Sequence, residues 1–327
     1  MENFKNLPIV KKIGFNRIIL VLVLIAMYFI FSLGSGRMLG SGDINNALNM
    51  VDYLGFLALG VTFVIATGGI DFSIGPVMVC AGLIGGRLLV TFGWPLWLAL
   101  VMCVIVGMVF GVFNGILVAY MGLPSFISSM ASMMLAKGVG SVFTHVQNSN
   151  WPKTGDPNSW YKYFVNYNGF PTGLVFLLVV AIICAIIMNK TQIGRYILCI
   201  GSNREAVRLS GVDTRKWEAL AYVICGLLAG IAAITYVGVI TQVQPGLGDE
   251  FNNNAIASCV MGGTSMAGGV ASIGGTIIGV FIIGVISNGL TLMHLDVNWQ
   301  YVVKGVIILV AVYSDMVRQR KSQARKE

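Results

Sequence analysis

The stretch Trp94-Pro-Leu-Trp-Leu-Ala-Leu-Val-Met-Cys-Val-Ile-Val-Gly-Met-Val-Phe-Gly-Val-Phe-Asn-Gly-Ile-Leu-Val-Ala-Tyr120 contains no charged side chain. A helix needs about 20 apolar residues to cross the hydrocarbon core of a bilayer, and this run is long enough. Strands of a membrane barrel would alternate apolar and polar residues, which this run does not do. Since lipid cannot hydrogen-bond an open backbone, the stretch predicts a transmembrane helix.

The whole chain follows the same pattern, with 327 residues of which 56% are hydrophobic and 10% charged. The predicted fold class is all-α, a polytopic membrane protein with about ten transmembrane helices. The ten segments are Ile13–Leu33, Ala47–Thr67, Ile74–Val90, Trp94–Tyr120, Ser125–Phe143, Thr172–Met188, Trp217–Ile240, Asn254–Met261, Ile273–His294 and Trp299–Tyr313. The eighth is too short to span by itself. We expect it either to extend into its Asn-rich or Gly-rich flanks, or to be a short or broken helix near residues 254–261 that is buried in protein.

Basic residues are concentrated near the N-terminus, between Lys190 and Lys216, and in the tail after Tyr313. The positive-inside rule places all three regions in the cytoplasm, which six crossings followed by four would satisfy. We therefore expect one domain over 1–327, with helices over 13–188 and 217–314, a cytoplasmic loop over 189–216 and a basic tail over 315–327. The basic pI of about 9.2 then reflects topology and anionic lipid rather than nucleic acid.

Arg87 and Lys304 lie near segment ends, where their side chains can reach the interface. The aromatic-rich loop from His145 to Pro171 is expected outside the cytoplasm. Its rings either lie at the membrane interface or grip a soluble partner.

We call Lys190–Lys216 the polar island. Ser202 and Glu205 have the spacing of a helix capping box, and Gly211 lies where a left-handed stop is expected. So short a helix is marginal in water, which indicates a partner surface. The alternative is a solvated connecting loop whose charges only fix topology.

Polar groups inside the apolar segments suggest a solute path. Asp71 follows Gly68-Gly69, and an ionisable residue near the membrane core indicates function, although Asp71 or Ser73 could simply cap the third helix. Asn114 and the amides of Asn252–Asn254 suit neutral, hydroxyl-rich solutes, and can equally join helices. A second glycine-rich stretch, 262–269, contains Thr264 and Ser265.

Glycines four residues apart at 107, 111 and 115, and again at 226 and 230, line one face of their helices and predict close helix packing. No phosphate-binding loop, metal cluster, disulfide framework or pairing of nucleophile and base is visible. We therefore expect no enzymatic activity and no cofactor bound by this chain.

Four motifs together resemble the permease subunit of ribose-type ATP-binding-cassette (ABC) importers, which serve ribose, xylose, arabinose, galactose and autoinducer-2. They are Gly-Gly-Ile-Asp-Phe-Ser-Ile-Gly at 68–75, Gly-Ser-Asn-Arg-Glu-Ala-Val-Arg-Leu-Ser-Gly-Val at 201–212, Ala-Ile-Ala at 255–257 before Gly-Gly-Thr-Ser-Met-Ala-Gly-Gly, and Trp-Gln-Tyr-Val-Val-Lys-Gly at 299–305. One departure is that Asn252-Asn253-Asn254 stands where sugar members often have Glu-Leu-Asp.

The resemblance implies a subunit of the bacterial inner membrane with about ten helices, paired with a second permease copy. It also implies a cytosolic ATPase that carries ATP and Mg, and a periplasmic or lipid-anchored sugar-binding protein. The polar island would hold the coupling helix that docks on the ATPase. The coupling residues are then Ser202, Asn203, Arg204, Glu205, Ala206, Val207, Arg208, Leu209 and Gly211, with Ala206, Val207 and Leu209 as the buried contacts.

The expected function is passage of a monosaccharide, without covalent chemistry. The candidate path residues are Asp71, Ser73, Asn114, Phe126, Asn252, Asn254, Thr264 and Ser265. The alternatives are an ABC permease for nucleosides, branched-chain amino acids or another small polar solute, and a secondary transporter or channel that acts alone.

Overall fold

The computed structural model describes residues 15–35, 41–296, 298–307, 309–310 and 313. The helices are α1 (Phe15–Ser35), α2 (Ser41–Ala66), α3 (Ile74–Val90), α4 (Leu96–Gly115, continued by a π-helical turn Ile116–Tyr120), α5 (Ser125–Phe143), α6 (Thr172–Lys190), α7 (Gln192–Leu209), α8 (Thr214–Val239), α9 (Asp249–Met261) and α10 (Ile273–Leu292). Residues 298–307 are also helical. A 3₁₀-helix (Ser159–Phe164) and an antiparallel ribbon of β1 (Ser149–Asn150) and β2 (Gln242–Val243) complete the elements.

Six of these helices are long and apolar enough to cross a membrane. They are Ile44–Ala66, Leu96–Tyr120, Ser125–Phe143, Thr172–Lys190, Thr214–Val239 and Ile273–Leu292, and Leu20–Gly34 and Ile74–Val90 are shorter apolar helices. The prediction of a helical, polytopic membrane protein is confirmed, with six rather than ten spans that meet the criterion in the described part. The basic tail, and most of the basic N-terminus, lie outside the described residues.

The glycine faces of α4 and α8 pack directly against each other. A methyl group added at Gly107 would meet the carbonyl oxygen of Gly226, and one at Gly111 would lie 2.6 Å from the carbonyl oxygen of Tyr222. These neighbours are backbone atoms, which cannot move aside as a side chain can. The predicted close packing is confirmed, and each set of glycines is the partner of the other.

The ribbon and α7 mark opposite ends of the helix bundle, which we call the ribbon end and the α7 end. At the ribbon end Trp151 is buried, and its Nε1–H donates to the carbonyl oxygen of Gly82 at 3.0 Å. Trp160 and Tyr163 are exposed, as an interfacial loop requires. The expectation of interfacial rings therefore fails for Trp151, whose indole instead holds the 145–171 loop against α3.

Two short helices, α3 and α9, begin at the same place inside the bundle. Gly248 precedes α9 with a φ of 127°, and a methyl group there would lie 2.5 Å from the nitrogen of Pro76 at the start of α3. From this point α3 runs toward the ribbon end and α9 toward the α7 end. The 13 residues of α9 span about 20 Å, less than the roughly 30 Å of a bilayer core. The predicted short helix is confirmed, but it begins at Asp249 rather than Asn254.

Candidate functional site

The turn between α2 and α3 is held by a buried polar network. The Oδ1 atom of Asp71 accepts hydrogen bonds from the backbone nitrogen and the hydroxyl of Ser73, at 2.8 and 2.6 Å. Asn114 on α4 donates to the Ser73 hydroxyl at 2.9 Å and accepts from the hydroxyl of Ser132 on α5. All four residues are at most 2% exposed. The network therefore joins three helices through satisfied polar groups, as burial demands.

The free amide of Gly75 in the first turn of α3 is capped from another helix. It donates to Oδ1 of Asn252 at 2.6 Å, and the Nδ2 of Asn252 donates to the carbonyl oxygen of Phe72. Neither Asp71 nor Ser73 caps α3 in the expected way, since Asp71 binds Ser73 and Ser73 makes no side-chain cap bond. One amide side chain therefore fixes the junction of the two short helices.

Candidate path residues fall into separate places. Asp71, Ser73 and Asn114 share one network, Asn252 joins it through Phe72, and the ring of Phe126 meets that of Phe72 at 5.8 Å. Phe126 is 51% exposed, whereas the polar members are enclosed. Asn254 lies apart on α9, and its buried Nδ2 atom has no hydrogen-bond partner among the residues that the structure describes.

Thr264 and Ser265 lie in the turn after α9 at the α7 end. The Thr264 hydroxyl accepts from the backbone nitrogen of Ser272 at 3.2 Å, so this side chain shapes its own turn. The same turn touches the end of α2, because the Gly269 nitrogen donates to the carbonyl oxygen of Ala66 at 3.0 Å.

The end of α2 and the second glycine-rich stretch also contact the polar island. A methyl group added at Gly201 on α7 would meet the carbonyl oxygen of Ala66 and the nitrogen of Gly269. A methyl group at Gly268 would lie 2.8 Å from the nitrogen of Gly68. We call Ala66–Gly68, Gly201–Ser202 and Gly268–Gly269 the glycine junction. It joins α7 directly to the turns that follow α2 and α9.

The predicted capping box of the polar island is wrong by one residue. α7 breaks at Asn203, whose φ of −160° and ψ of 95° are not helical, and its Oδ1 accepts from the nitrogen of Ala206 at 3.0 Å. The Ser202 hydroxyl donates backward to the carbonyl oxygen of Leu198 instead. Asn203 is thus the cap. The helix ends at Leu209, and Gly211 provides the predicted left-handed stop with a φ of +83°.

Glu205 pairs with Arg208 and does not reach back to the helix start. The two side chains form a hydrogen bond of 3.0 Å from Nε and an ion pair of 2.6 Å, both exposed to solvent. The hydrogen bond and the positive charge of Arg208 lower the pKa of Glu205 below its usual value. Arg204 pairs with Glu218 on α8 at 2.6 Å, which ties the short helix to the bundle.

The rest of the surface of the short helix that follows Asn203 in α7 is largely exposed to solvent. Ala206 is exposed, Val207 is half-buried, and Leu209 is 77% exposed. An exposed leucine at the tip of a charged helix is suited to a protein contact, because its burial is favourable.

Two lysines inside helical segments pair with the acids that open α9. Lys137 on α5 lies 2.7 Å from Oδ2 of Asp249, and Lys304 pairs with Glu250. Lys304 is 8% exposed, so it does not reach the interface as the sequence suggested. These pairs were missed, although a lysine within an apolar run was a usable signal. Among the described residues no group of His, Cys, Asp and Glu is placed to hold a metal ion.

The relatives found by sequence comparison are all described as permease proteins or permease components. The profile of a family described as the permease component of branched-chain amino acid transport systems matches residues 44–312. The chain is 34% identical to the ribose import permease protein of Escherichia coli K12, over 92% of this chain and 93% of that protein. It is 29% identical to the xylose transport system permease protein of the same strain, over 95% and 94%, and 30% identical to the ribose import permease protein of Haemophilus influenzae, over 90% and 91%. No solved structure matches the chain.

Proposed function

We propose, since the chain belongs to the family of permease components of branched-chain amino acid transport systems, that it is the membrane-spanning permease of an ABC importer that carries a monosaccharide. The observation that carries the proposal is its 34% identity to a ribose import permease over nearly the full length of both proteins. The xylose relative supports the same class of solute.

The proposed topology is one domain of about ten helices in the bacterial inner membrane, with both termini and the polar island in the cytoplasm. The clustered basic charge supports this orientation through the positive-inside rule. The ribbon end then faces outward, where a sugar-binding protein would deliver the solute.

Energy would come from a separate ATPase that carries ATP and Mg, while this chain binds no cofactor and catalyses no reaction. The short helix after Asn203 is the proposed contact, with Leu209 and Ala206 as its open surface. The glycine junction supports this role, because displacement of α7 would act directly on the backbone of both glycine-rich turns. A second copy of the chain would complete the path.

In this scheme α3 and α9 are fixed by four positioning residues, Asp71, Ser73, Asn114 and Asn252. Their mutual hydrogen bonds support this role over direct solute contact. Phe126, exposed on α5, remains a proposed wall of the path.

Reconstituted uptake tests the proposal. Liposomes with this chain, its ATPase and its binding protein should accumulate labelled ribose or xylose when ATP is supplied. Omission of the ATPase or the binding protein should abolish accumulation. Uptake by the chain alone would favour a secondary transporter, and uptake of leucine in place of either sugar would favour the amino acid branch of the family.

A further inference from the structure

The ion pair between Lys137 and Asp249 joins α5 and α9 on an uncovered surface. The side chain of Asp249 is 59% exposed and that of Lys137 is 26% exposed. The neighbouring pair is less exposed, at 39% for the side chain of Glu250 and 9% for that of Lys304. Two adjacent acids on one helix therefore have different surroundings.

Along the axes of the helices, this pair lies between the two ends of the bundle. Lys137 is six residues from the end of α5, about 9 Å along the helix. Asp249 follows Gly248, which contacts Pro76 at the start of α3, about 20 Å along that helix from its ribbon end. Charged side chains at such depth are costly in contact with lipid and face a partner or a water-filled cavity.

The helix that carries Lys137 also differs in composition from a span that faces only lipid. α5 is the least apolar of the six candidate spans and is still among the least covered by the rest of the chain. The uncovered side of α4 is wholly apolar, with Val101, Ile105, Val109 and Val112 exposed along it. The uncovered side of α5 carries the charge of Lys137 among apolar residues such as Met134 and Val139. Phe126 lies roughly three turns before Lys137, on the same side of α5.

We infer that Lys137 and Asp249 line the aqueous solute path and contact the hydroxyl groups of the sugar, an inference that rests on the proposed function. A carboxylate accepts from one hydroxyl while the neighbouring ammonium donates to the next, so the pair is matched to two adjacent hydroxyls. The ammonium of Lys137 has three hydrogens, and Asp249 Oδ2 takes one. Glu250 and Lys304 anchor α9 and stay out of the path.

Cysteine accessibility tests the inference. Cys199 is the exposed cysteine and the other five are buried. The Cys199→Ser variant, assembled with its ATPase and binding protein, therefore has no exposed cysteine of its own to react. Asp249→Cys is compared with Val109→Cys on α4, where Val109 is similarly exposed at 60%. The probe is a negatively charged methanethiosulfonate, which reacts only with thiols that water reaches.

The cysteine at 249 should react at least about tenfold faster than the one at 109, and ribose delivered with ATP should slow its reaction. Equal, slow reaction at both positions would overturn the inference, as would labelling at 249 that sugar leaves unchanged.

Transport by Asp249→Asn gives a second readout. The maximal uptake rate should fall by about tenfold, because the neutral amide replaces a charge-assisted hydrogen bond with a weaker neutral one and removes the ion pair with Lys137. The KM should change little, because the binding protein sets it, and the amount of assembled complex should match the parent. Unchanged maximal uptake would count against the inference. If the parent complex carries neither ribose nor xylose while the cysteine at 249 is still labelled, the proposed solute fails and the aqueous path stands.

Discussion

Gly201→Ala probes the glycine junction directly. The added methyl group would overlap the carbonyl oxygen of Ala66 and the nitrogen of Gly269, which themselves form a 3.0 Å hydrogen bond. Because both neighbours are backbone atoms, relief requires α7 to move or the bond to break. Overpacking of this kind costs about 1–3 kcal/mol. A cost of about 2 kcal/mol would disfavour the packing of α7 against Ala66 and Gly269 roughly 30-fold.

The assay is ATP-driven sugar uptake in proteoliposomes, measured together with the ATP hydrolysed. We expect uptake to fall by an order of magnitude or more while the complex still inserts and assembles. The matched control is Gly138→Ala on α5, where an added methyl group meets nothing within 4 Å and φ is ordinary. Uptake by Gly201→Ala equal to that of the control would refute the role of the junction in transmission.

Three further predictions concern local chemistry. Asn203→Ala should lose about 0.5–2 kcal/mol of helix stability and speed hydrogen exchange at the amide of residue 206, whereas Ser202→Ala should leave that amide unchanged. In a ¹³C NMR titration the carboxyl of Glu205 should have a pKa below that of an ordinary glutamate. Its pairing with Arg208 should therefore be complete above the usual glutamate pKa and be lost as the pH falls through the lowered pKa, and an ordinary pKa would contradict the pairing. Asp71→Asn should destabilise the protein by about 1–3 kcal/mol, because an NH₂ group at position 71 would face the NH₂ group of Asn114. The double variant Asp71→Asn with Asn114→Asp should regain more than half of the decrease in melting temperature.

Sequence patterns predicted the helices that have long apolar runs. The bounds of α3 and α5 agree with the predicted segments, because apolar length alone defines both. The start of α9 was missed, since Asp249, Glu250 and Asn252 make its first turn polar. The acids are stabilised there by two lysines more than 50 positions away along the chain, which no local pattern can indicate.

Only part of the candidate site was predicted, because some of its partners are also distant along the chain. Asp71 and Ser73 were found because a charge near the membrane core is rare, and their partnership with Asn114 depends on the packing of α4 beside the turn. The cap of α3 came from Asn252, which is 177 positions from Gly75. The choice of Ser202 over Asn203 failed because a backbone break, invisible in sequence, decides which side chain faces the free amide.

The affinity of the purified ATPase for this chain with Leu209→Asp tests whether ATP energy enters through the short helix that follows Asn203 in the polar island. Leu209 is 77% exposed, and its burial in the complex would contribute about 1.5–3 kcal/mol. A buried, unpaired carboxylate would add to that loss. We expect the dissociation constant to rise at least tenfold, and an unchanged constant would show that Leu209 does not contact the ATPase.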